Sequence, residues 1–303
     1  MEKIEATGIS KSFGDVQAVR DLSFRVEEGT IYGILGVNGS GKTTTIRMLL
    51  NILTPDQGEI LINGRPFDEE LKNRIGYLPE ERGLYRKMKV RDLLCYMGEL
   101  KGLTSAQANK KASYWVERVG LSEWMDKKAE ELSKGMQQKI QFVSALIHDP
   151  EIVILDEPFS GLDPINTVTL LEVMEEVKKR GAAVLFSTHI LEHAEKLVDK
   201  LTFIRQGQNV LTGTMGEVKG RFAATLFRIR IDGEGSLLSS LPKVLKVQAF
   251  GHEYEVETEG DTEPTEFLKN LLTAGLRVEK FEKVEPSLTN IYMKVMRGED
   301  GKN

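Results

Sequence analysis

The run Gly36-Val37-Asn38-Gly39-Ser40-Gly41-Lys42-Thr43 constrains this chain more than any other stretch. It has the form Gly-x-x-x-x-Gly-Lys-Thr and follows a short apolar run, Thr30-Ile31-Tyr32-Gly33-Ile34-Leu35, that reads as a buried strand. Thr44-Thr45-Ile46-Arg47-Met48-Leu49-Leu50 comes next, apolar at helical spacing. Strand, glycine loop and helix in that order are the context such a loop needs to hold phosphate. The glycines let bare backbone N–H groups curl around an anion, and the helix start adds its positive dipole end. Lys42 can then reach the β- and γ-phosphates, and the Thr43 hydroxyl can ligate Mg²⁺. The loop fits a nucleoside triphosphate.

At 303 residues the chain can build one large core or two smaller ones. Charged residues at 29% and apolar residues at 40% are those of an ordinary globular protein, so the loop belongs to a packed domain. No apolar run approaches the ~20 residues of a membrane helix. The start, Met1-Glu2-Lys3-Ile4-Glu5-Ala6, lacks the apolar core of a signal peptide. Cys95 is the only cysteine, which rules out an internal disulfide and suits a reducing cytosol. Within Asp92-Leu93-Leu94-Cys95-Tyr96-Met97 it reads as a core residue rather than a nucleophile. The net charge of −5 speaks against nucleic acid, whose footprint is usually basic. Any membrane connection therefore has to come through a partner.

Upstream of the loop, Ile4–Ile9 and Leu22–Val26 alternate as strands, with a turn expected at Ser12-Phe13-Gly14-Asp15. Phe13 has two readings: a ring that stacks on a base, or one that folds back over the hairpin core. Past the loop, Glu59–Gly64 and Ile75–Glu80 read as strands, and from Val90 to about Gly120 the pattern turns helical. Leu93, Leu94, Met97 and Leu100 are expected on one side, Trp115, Val116 and Val119 in a second stripe, and Leu121 and Trp124 in a third. Ser133 is then a plausible N-cap beside Gly135, a second anion-ready helix start, although capped helices are commonplace. Ile152-Val153-Ile154-Leu155-Asp156-Glu157 is a β-branched core strand ending in two carboxylates. Asp156 is placed to hold Mg²⁺, and Glu157 to point to the opposite side of the strand line, toward an attacking water. Ser160–Pro164 turns into a helix over Val168–Lys179, and Ala182–Phe186 is one more buried strand, followed by Ser187-Thr188-His189. A histidine at such a strand tip is either structural or sits where ligands bind.

In this order the elements resemble the ATP-binding subunit of an ABC transporter, over roughly residues 3 to 215. The resemblance rests on the Walker A run Gly36–Thr43, the signature Leu132-Ser133-Lys134-Gly135-Met136-Gln137, the Walker B run Ile152–Glu157, the D-loop Ser160–Asp163, and His189. It implies an α/β P-loop ABC ATPase: a RecA-like mixed-sheet core, an antiparallel β subdomain and a helical insertion. Residues 1–218 would form this domain, with the insertion at about 83–145. Phe13 would be the aromatic that stacks on adenine. Gly36, Asn38, Gly39, Ser40, Gly41, Lys42, Thr43 and Thr44 would cradle ATP. Thr43 and Asp156 would hold Mg²⁺. Glu157 would orient or deprotonate water, with Lys42 and His189 contacting the terminal phosphate. Ser133, Gly135 and Asp163 would act across the seam of a dimer, so that two head-to-tail copies complete two sites. Glu80 stands where the family usually carries Gln. A carboxylate there can still ligate the metal, but it adds negative charge beside the triphosphate.

The phrase Leu78-Pro79-Glu80-Glu81-Arg82-Gly83-Leu84-Tyr85 also resembles a bacterial subgroup that drives ABC-2-type exporters of sodium and drugs. The implied partners are a second ATPase subunit, with a homodimer expected, and a separate membrane permease gripped near Tyr85, Met88 and Met97. The expected location is the cytoplasmic face of the cell membrane, peripheral through the permease. From about Arg221 the texture changes, and 221–298 reads as a small α+β domain in the order β-α-β-β-α-β, ferredoxin-like, with Phe267, Leu268, Leu271 and Leu272 expected on one face of a helix. The alternative function is an ABC-type ATPase acting on ribosomes or DNA. A single cassette, the absence of a heptad run and the acidic balance weigh against it.

Overall fold

The computed structural model describes residues 1–81, 83–222, 225–233, 235–260 and 262–298. Arg82 of the exporter-like phrase lies outside the described residues. The chain divides into two compact units, Met1–Met215 and Gly216–Asn303.

The first unit opens with a long hairpin, β1 (Glu2–Phe13) and β2 (Val16–Glu27). β3 (Ile31–Leu35) follows and runs into the phosphate loop and α1 (Lys42–Leu49). β4 (Gln57–Ile62) joins the hairpin in a three-stranded antiparallel sheet of order β2-β1-β4. β5 (Ile75–Leu78) leads to the helical insertion, α2 (Val90–Leu100) and α3 (Ser105–Arg118), and then to α4 (Lys134–Leu146). The remaining elements of this unit are β6 (Ile152–Asp156), α5 (Pro164–Lys179), β7 (Ala183–Thr188), α6 (Leu191–Leu197), β8 (Lys200–Arg205) and β9 (Gln208–Thr214); α7 (Met215–Arg221) starts on the last residue of the first unit and otherwise belongs to the second.

The main sheet has six strands in the order β5-β6-β7-β3-β8-β9, parallel except for the last pair. Every residue of β3, β6 and β7 is buried. That explains why these strands read as unbroken apolar runs: a parallel strand packed on both faces has no polar side to show. Leu155 is fully buried, and truncating it to Ala should cost about 2–5 kcal/mol. The parallel register sets Leu35 beside Thr188 and Asp156 beside Ser187, so the carboxyl ends of β3, β7 and β6 lie in a row. Ligands of open α/β sheets bind outside these ends.

The structure revises several local expectations. Phe13 ends a strand rather than sitting in the turn, which contracts to Gly14-Asp15. Leu93 and Leu94 are buried, but Leu100, expected beside them, is 59% exposed. Trp115 and Val116 are buried on α3, whereas Trp124 lies in a short 3₁₀ turn, Ser122–Trp124. The helix expected from Val168 already begins at Pro164, because Asp163 caps it and proline suits its first turn. Among the described residues, no helix is long and apolar enough to cross a membrane.

In the second unit β10 (Thr225–Asp232), β11 (Val244–Phe250), β12 (Glu253–Thr258) and β13 (Arg277–Val284) pair antiparallel in the order β11-β12-β10-β13. The crossover after β10 carries a 3₁₀ turn, Gly235–Ser240, and the one after β12 carries α8 (Pro264–Thr273). α9 (Leu288–Met296) closes it, capped by Ser287. The core gathers Phe227, Ile229, Val256, Phe267 and Leu271, while Leu272, expected on the same helix face, is 56% exposed.

Candidate functional site

The phosphate loop leaves β3 at Gly36, where backbone rather than side chain dictates the residue. A Cβ on Gly36 would meet the Ile204 carbonyl and the Ser40 hydroxyl. Gly41 is held at φ 108°, and a Cβ there would lie 2.5 Å from the Ala18 carbonyl oxygen. Only glycine fits both constraints. Gly41 is also the N-cap of α1, with no side-chain cap, so the first N–H groups of the helix are left for an anion.

Lys42 is 5% exposed and folds back across the loop, its Nζ donating to the carbonyls of Gly36 at 2.9 Å and Val37 at 3.2 Å. The same ammonium lies 3.3 Å from Glu157 Oε1. Glu157 does not continue β6. It turns off the strand in the left-handed region at φ 48°, with its N–H donating to the Ser187 carbonyl and hydroxyl at 3.2 and 3.1 Å. That turn, rather than strand alternation, brings the carboxylate back toward Lys42. Its other oxygen, Oε2, lies 3.0 Å from His189 Nδ1. One carboxylate therefore sits between an ammonium and an imidazole, 6% exposed against 43% for the histidine.

Asp156 is fully buried at the tip of β6. Its Oδ1 accepts the Ser187 hydroxyl at 2.5 Å, while Oδ2 is buried without a hydrogen-bond partner. A buried carboxylate oxygen left open is costly unless something fills its coordination. Mg²⁺ suits that oxygen in chemistry: it takes one or two protein oxygens and completes its shell with water and substrate phosphate. Asp156 and Thr43 supply hard oxygens of the right kind.

A cleft of about 300 Å³ opens over the loop, lined by Asn38, Gly39, Gly41, Lys42, Thr43 and Thr44 together with Glu80 and Glu157. Ala18 completes this wall, a residue that the sequence reading did not single out. Ser40 is turned inward, 3% exposed, with its hydroxyl unpartnered. Phe13 stands 49% exposed at the end of β1, with Lys11 Nζ 5.9 Å from its ring centre and Lys11 tied to Asp56 at 2.7 Å. A larger cavity, about 350 Å³ beside Trp115 and Arg180, lies at the amino-terminal ends of the strands, where Glu151 and Ala182 precede β6 and β7. The cleft lies at the carboxyl ends, and the chemistry is assigned there.

The signature residues stand apart from this cleft. Ser133 caps α4 by accepting the Met136 N–H at 3.3 Å, and Ser133 and Gly135 are not among the cleft's walls. Asp163 caps α5 by accepting the Asn166 N–H at 2.9 Å; this hydrogen bond holds its carboxyl below the usual range. Gln138 Nε2 donates to the Pro158 carbonyl at 3.3 Å, tying α4 to the turn after the two carboxylates. Ser187 is the residue that sequence reasoning missed. It holds Asp156 and Glu157 at once, and its signal was its place directly before Thr188-His189.

Both parts of the chain are similar to known proteins. Residues 19–160 match the family model described as ABC transporter, and residues 213–296 match the model for the C-terminal domain of DrrA1-3-like ATP-binding proteins. The uncharacterized ABC transporter ATP-binding protein YhaQ of Bacillus subtilis is 42% identical over 94% of this chain and 95% of that protein. The Nod factor export ATP-binding protein I of Burkholderia lata is 36% identical over 69% and 70%. Among solved structures, an ATP-binding subunit of an ABC transporter superposes with a TM-score of 0.68 at 31% identity, covering 73% of this chain and 93% of that one.

Proposed function

This chain belongs to the ABC transporter family as an ATP-binding, ATP-hydrolysing subunit, and we propose that two identical copies close head to tail around two ATP molecules to drive an ABC-2-type export permease. Its relatives include an export system by name, which supports the outward direction. The insertion would grip the permease near Tyr85 and Tyr96, whose rings meet edge to face at 5.8 Å and stand 51% and 39% exposed. The protein would then sit on the cytoplasmic face of the membrane, held by that permease. Residues 1–218 would act as the motor, and 221–298 as a ferredoxin-like domain that supports the dimer.

In this reading Phe13 stacks on adenine and the loop N–H groups and Lys42 bind the β- and γ-phosphates. Mg²⁺, held by Thr43, Asp156 and Glu80, would neutralise phosphate charge. Glu157 accepts a proton from, or orients, the water that attacks the γ-phosphorus. His189 fixes that carboxylate and reaches the same phosphate. The partner copy adds Ser133 and Gly135 to the terminal phosphate and Asp163 along the seam. ATP thus joins the copies by completing each site, and hydrolysis removes the joint.

The observation that carries the reading is the Glu157 carboxylate held between Lys42 and His189 beside the loop. The test is Glu157→Gln. It should bind ATP as the parent does and hydrolyse it at least ~10²-fold more slowly, the loss expected of a general base. Unchanged turnover would take Glu157 out of the mechanism.

A further inference from the structure

β8 and β9 are joined by a two-residue turn, Gln206-Gly207, across the pair Arg205–Gln208. Both central residues have positive φ, 49° and 79°, the kind of turn whose twist matches that of a hairpin. The tip of such a turn ordinarily offers its peptide groups to water. Here Arg205, Gln206 and Gln208 are exposed, but Gly207 is buried. Its N–H donates to the Ser40 carbonyl of the phosphate loop at 2.9 Å, and its carbonyl accepts the Arg20 N–H of β2 at 2.8 Å. Both partners lie outside its own hairpin.

The approach is close enough to demand glycine. A Cβ on Gly207 would lie 2.6 Å from the Ala18 carbonyl oxygen and 3.0 Å from Val19 Cα. The same Ala18 carbonyl limits Gly41, whose Cβ would also come within 3.5 Å of Gly207 Cα. Phosphate loop, β2 and hairpin tip therefore meet backbone to backbone.

That junction fixes a direction. The Ser40–Gly41 peptide is planar and trans, so its carbonyl and its N–H point opposite ways. With the carbonyl drawn onto Gly207, the Gly41 N–H is turned the other way, and Gly41 is part of the cleft wall. A flipped peptide would present a carbonyl oxygen to the triphosphate and replace attraction by repulsion.

From this we infer that Gly207 is a positioning residue for the nucleotide: its N–H, delivered by a buried hairpin tip, locks the Ser40–Gly41 peptide with the Gly41 N–H aimed at the phosphates. It acts through the loop rather than on the nucleotide. The inference rests on the phosphate-loop reading above.

Titration calorimetry of the full chain with ATP, joined to steady-state ATPase kinetics, tests it. Gly207→Ala pushes the tip off the Ala18 carbonyl. It should weaken ATP binding and raise KM by about tenfold or more, with kcat at saturation little changed. Inorganic tripolyphosphate, which carries no base, should lose affinity by the same factor. A glycine inserted between Gln206 and Gly207 withdraws the tip without adding a side chain and should give the same loss. It decides the matter if Gly207→Ala does not fold. Gln206→Gly, on the same turn, and Gly251→Ala, at φ 59° in open space, should bind ATP as the parent does. Parent-like affinity in the Gly207→Ala and insertion variants overturns the inference. An equal loss in Gly251→Ala also overturns it, because strain would then be the cause. A fall in melting temperature and kcat with KM intact makes Gly207 a residue of the fold alone, again against the inference. A parent that binds neither ATP nor tripolyphosphate overturns the phosphate-loop reading itself.

Discussion

α1 and α4 both begin at an anion-ready turn, yet the two starts are built differently. α1 starts bare: Gly41 offers no side-chain cap, and the groups around it, Lys42, Thr43, Glu80 and Glu157, converge on one cleft. α4 starts capped by the Ser133 hydroxyl and, within its own chain, is not part of the cleft's walls. A bare start surrounded by converging charge can hold a triphosphate by itself. A capped start with no local ligand is stable alone and has spare N–H capacity only for something brought to it. The difference fits the division of labour proposed above, in which one helix start binds nucleotide and the other would meet a second, loaded copy.

The same substitution at the two glycines should expose this division most sharply. Gly41→Ala forces a side chain into φ 108° and against the Ala18 carbonyl. Strain of ~3 kcal/mol should lower ATP affinity by about 10²-fold or more in an equilibrium binding measurement. Gly135→Ala meets only ordinary contacts at 3.6 and 3.7 Å and gains helix propensity. Binding of ATP to the monomer should stay unchanged, and the melting temperature should hold or rise. If both variants lose ATP binding equally, the comparison fails.

Next in size is Ser133→Arg. A long cation at the start of α4 should block ATP-driven dimerisation on the Glu157→Gln background, read by sizing chromatography. ATP binding to the monomer should survive, while the lost cap lowers stability by about 1 kcal/mol. ATP-driven dimers that persist would mean α4 does not meet the second copy.

How much of this contrast could be read in advance depends on what is local. The phosphate loop and the tips of β6 and β7 were legible because parallel buried strands read as apolar runs ending in polar residues. The position of Glu157 was not. Alternation sent it across the strand line, whereas the chain leaves β6 there in a left-handed turn fixed by Ser187, thirty residues on. β8 and β9 went unassigned in the sequence, although β8 pairs directly with β3. Lys200-Leu-Thr-Phe-Ile-Arg is short and polar at both ends, and only non-local pairing makes it a strand. The exposure of Leu100 and Leu272 shows a related limit: periodicity finds the axis of a face but not its edges.

Ser187 gives a smaller effect that sharpens the nucleotide half. Ser187→Ala removes the donor to Asp156 and one acceptor of the Glu157 N–H, both buried. The carboxylates keep their charge but lose their fixed positions. A fall in kcat of about tenfold is expected, with ATP affinity little changed. A loss confined to stability, with kcat intact, would show that Ser187 only supports the fold.

The smallest effect belongs to the other half and comes from pH. His148 follows the last turn of α4, its ring contacting the Ile75 carbonyl at 3.2 Å through Nε2 and burying Nδ1 without a partner. Burial first, then the nearby Lys101 charge, pushes its pKa down to about 4. The unfolded chain titrates near 6.5, so above that pH both states are neutral and the stability is fully present. As pH falls from 6.5 toward 4 the unfolded state takes up the proton and the folded state resists, so stability is lost. Thermal melts over the first pH unit of that fall, from about 6.5 to about 5.5, should show a decline of about 1 kcal/mol that His148→Asn removes. Amide exchange should place the acid-labile opening at the α4–β5 contact and not around Gly41. Equal loosening at the phosphate loop would mean that the two helix starts are not separate in energy, whatever their geometry.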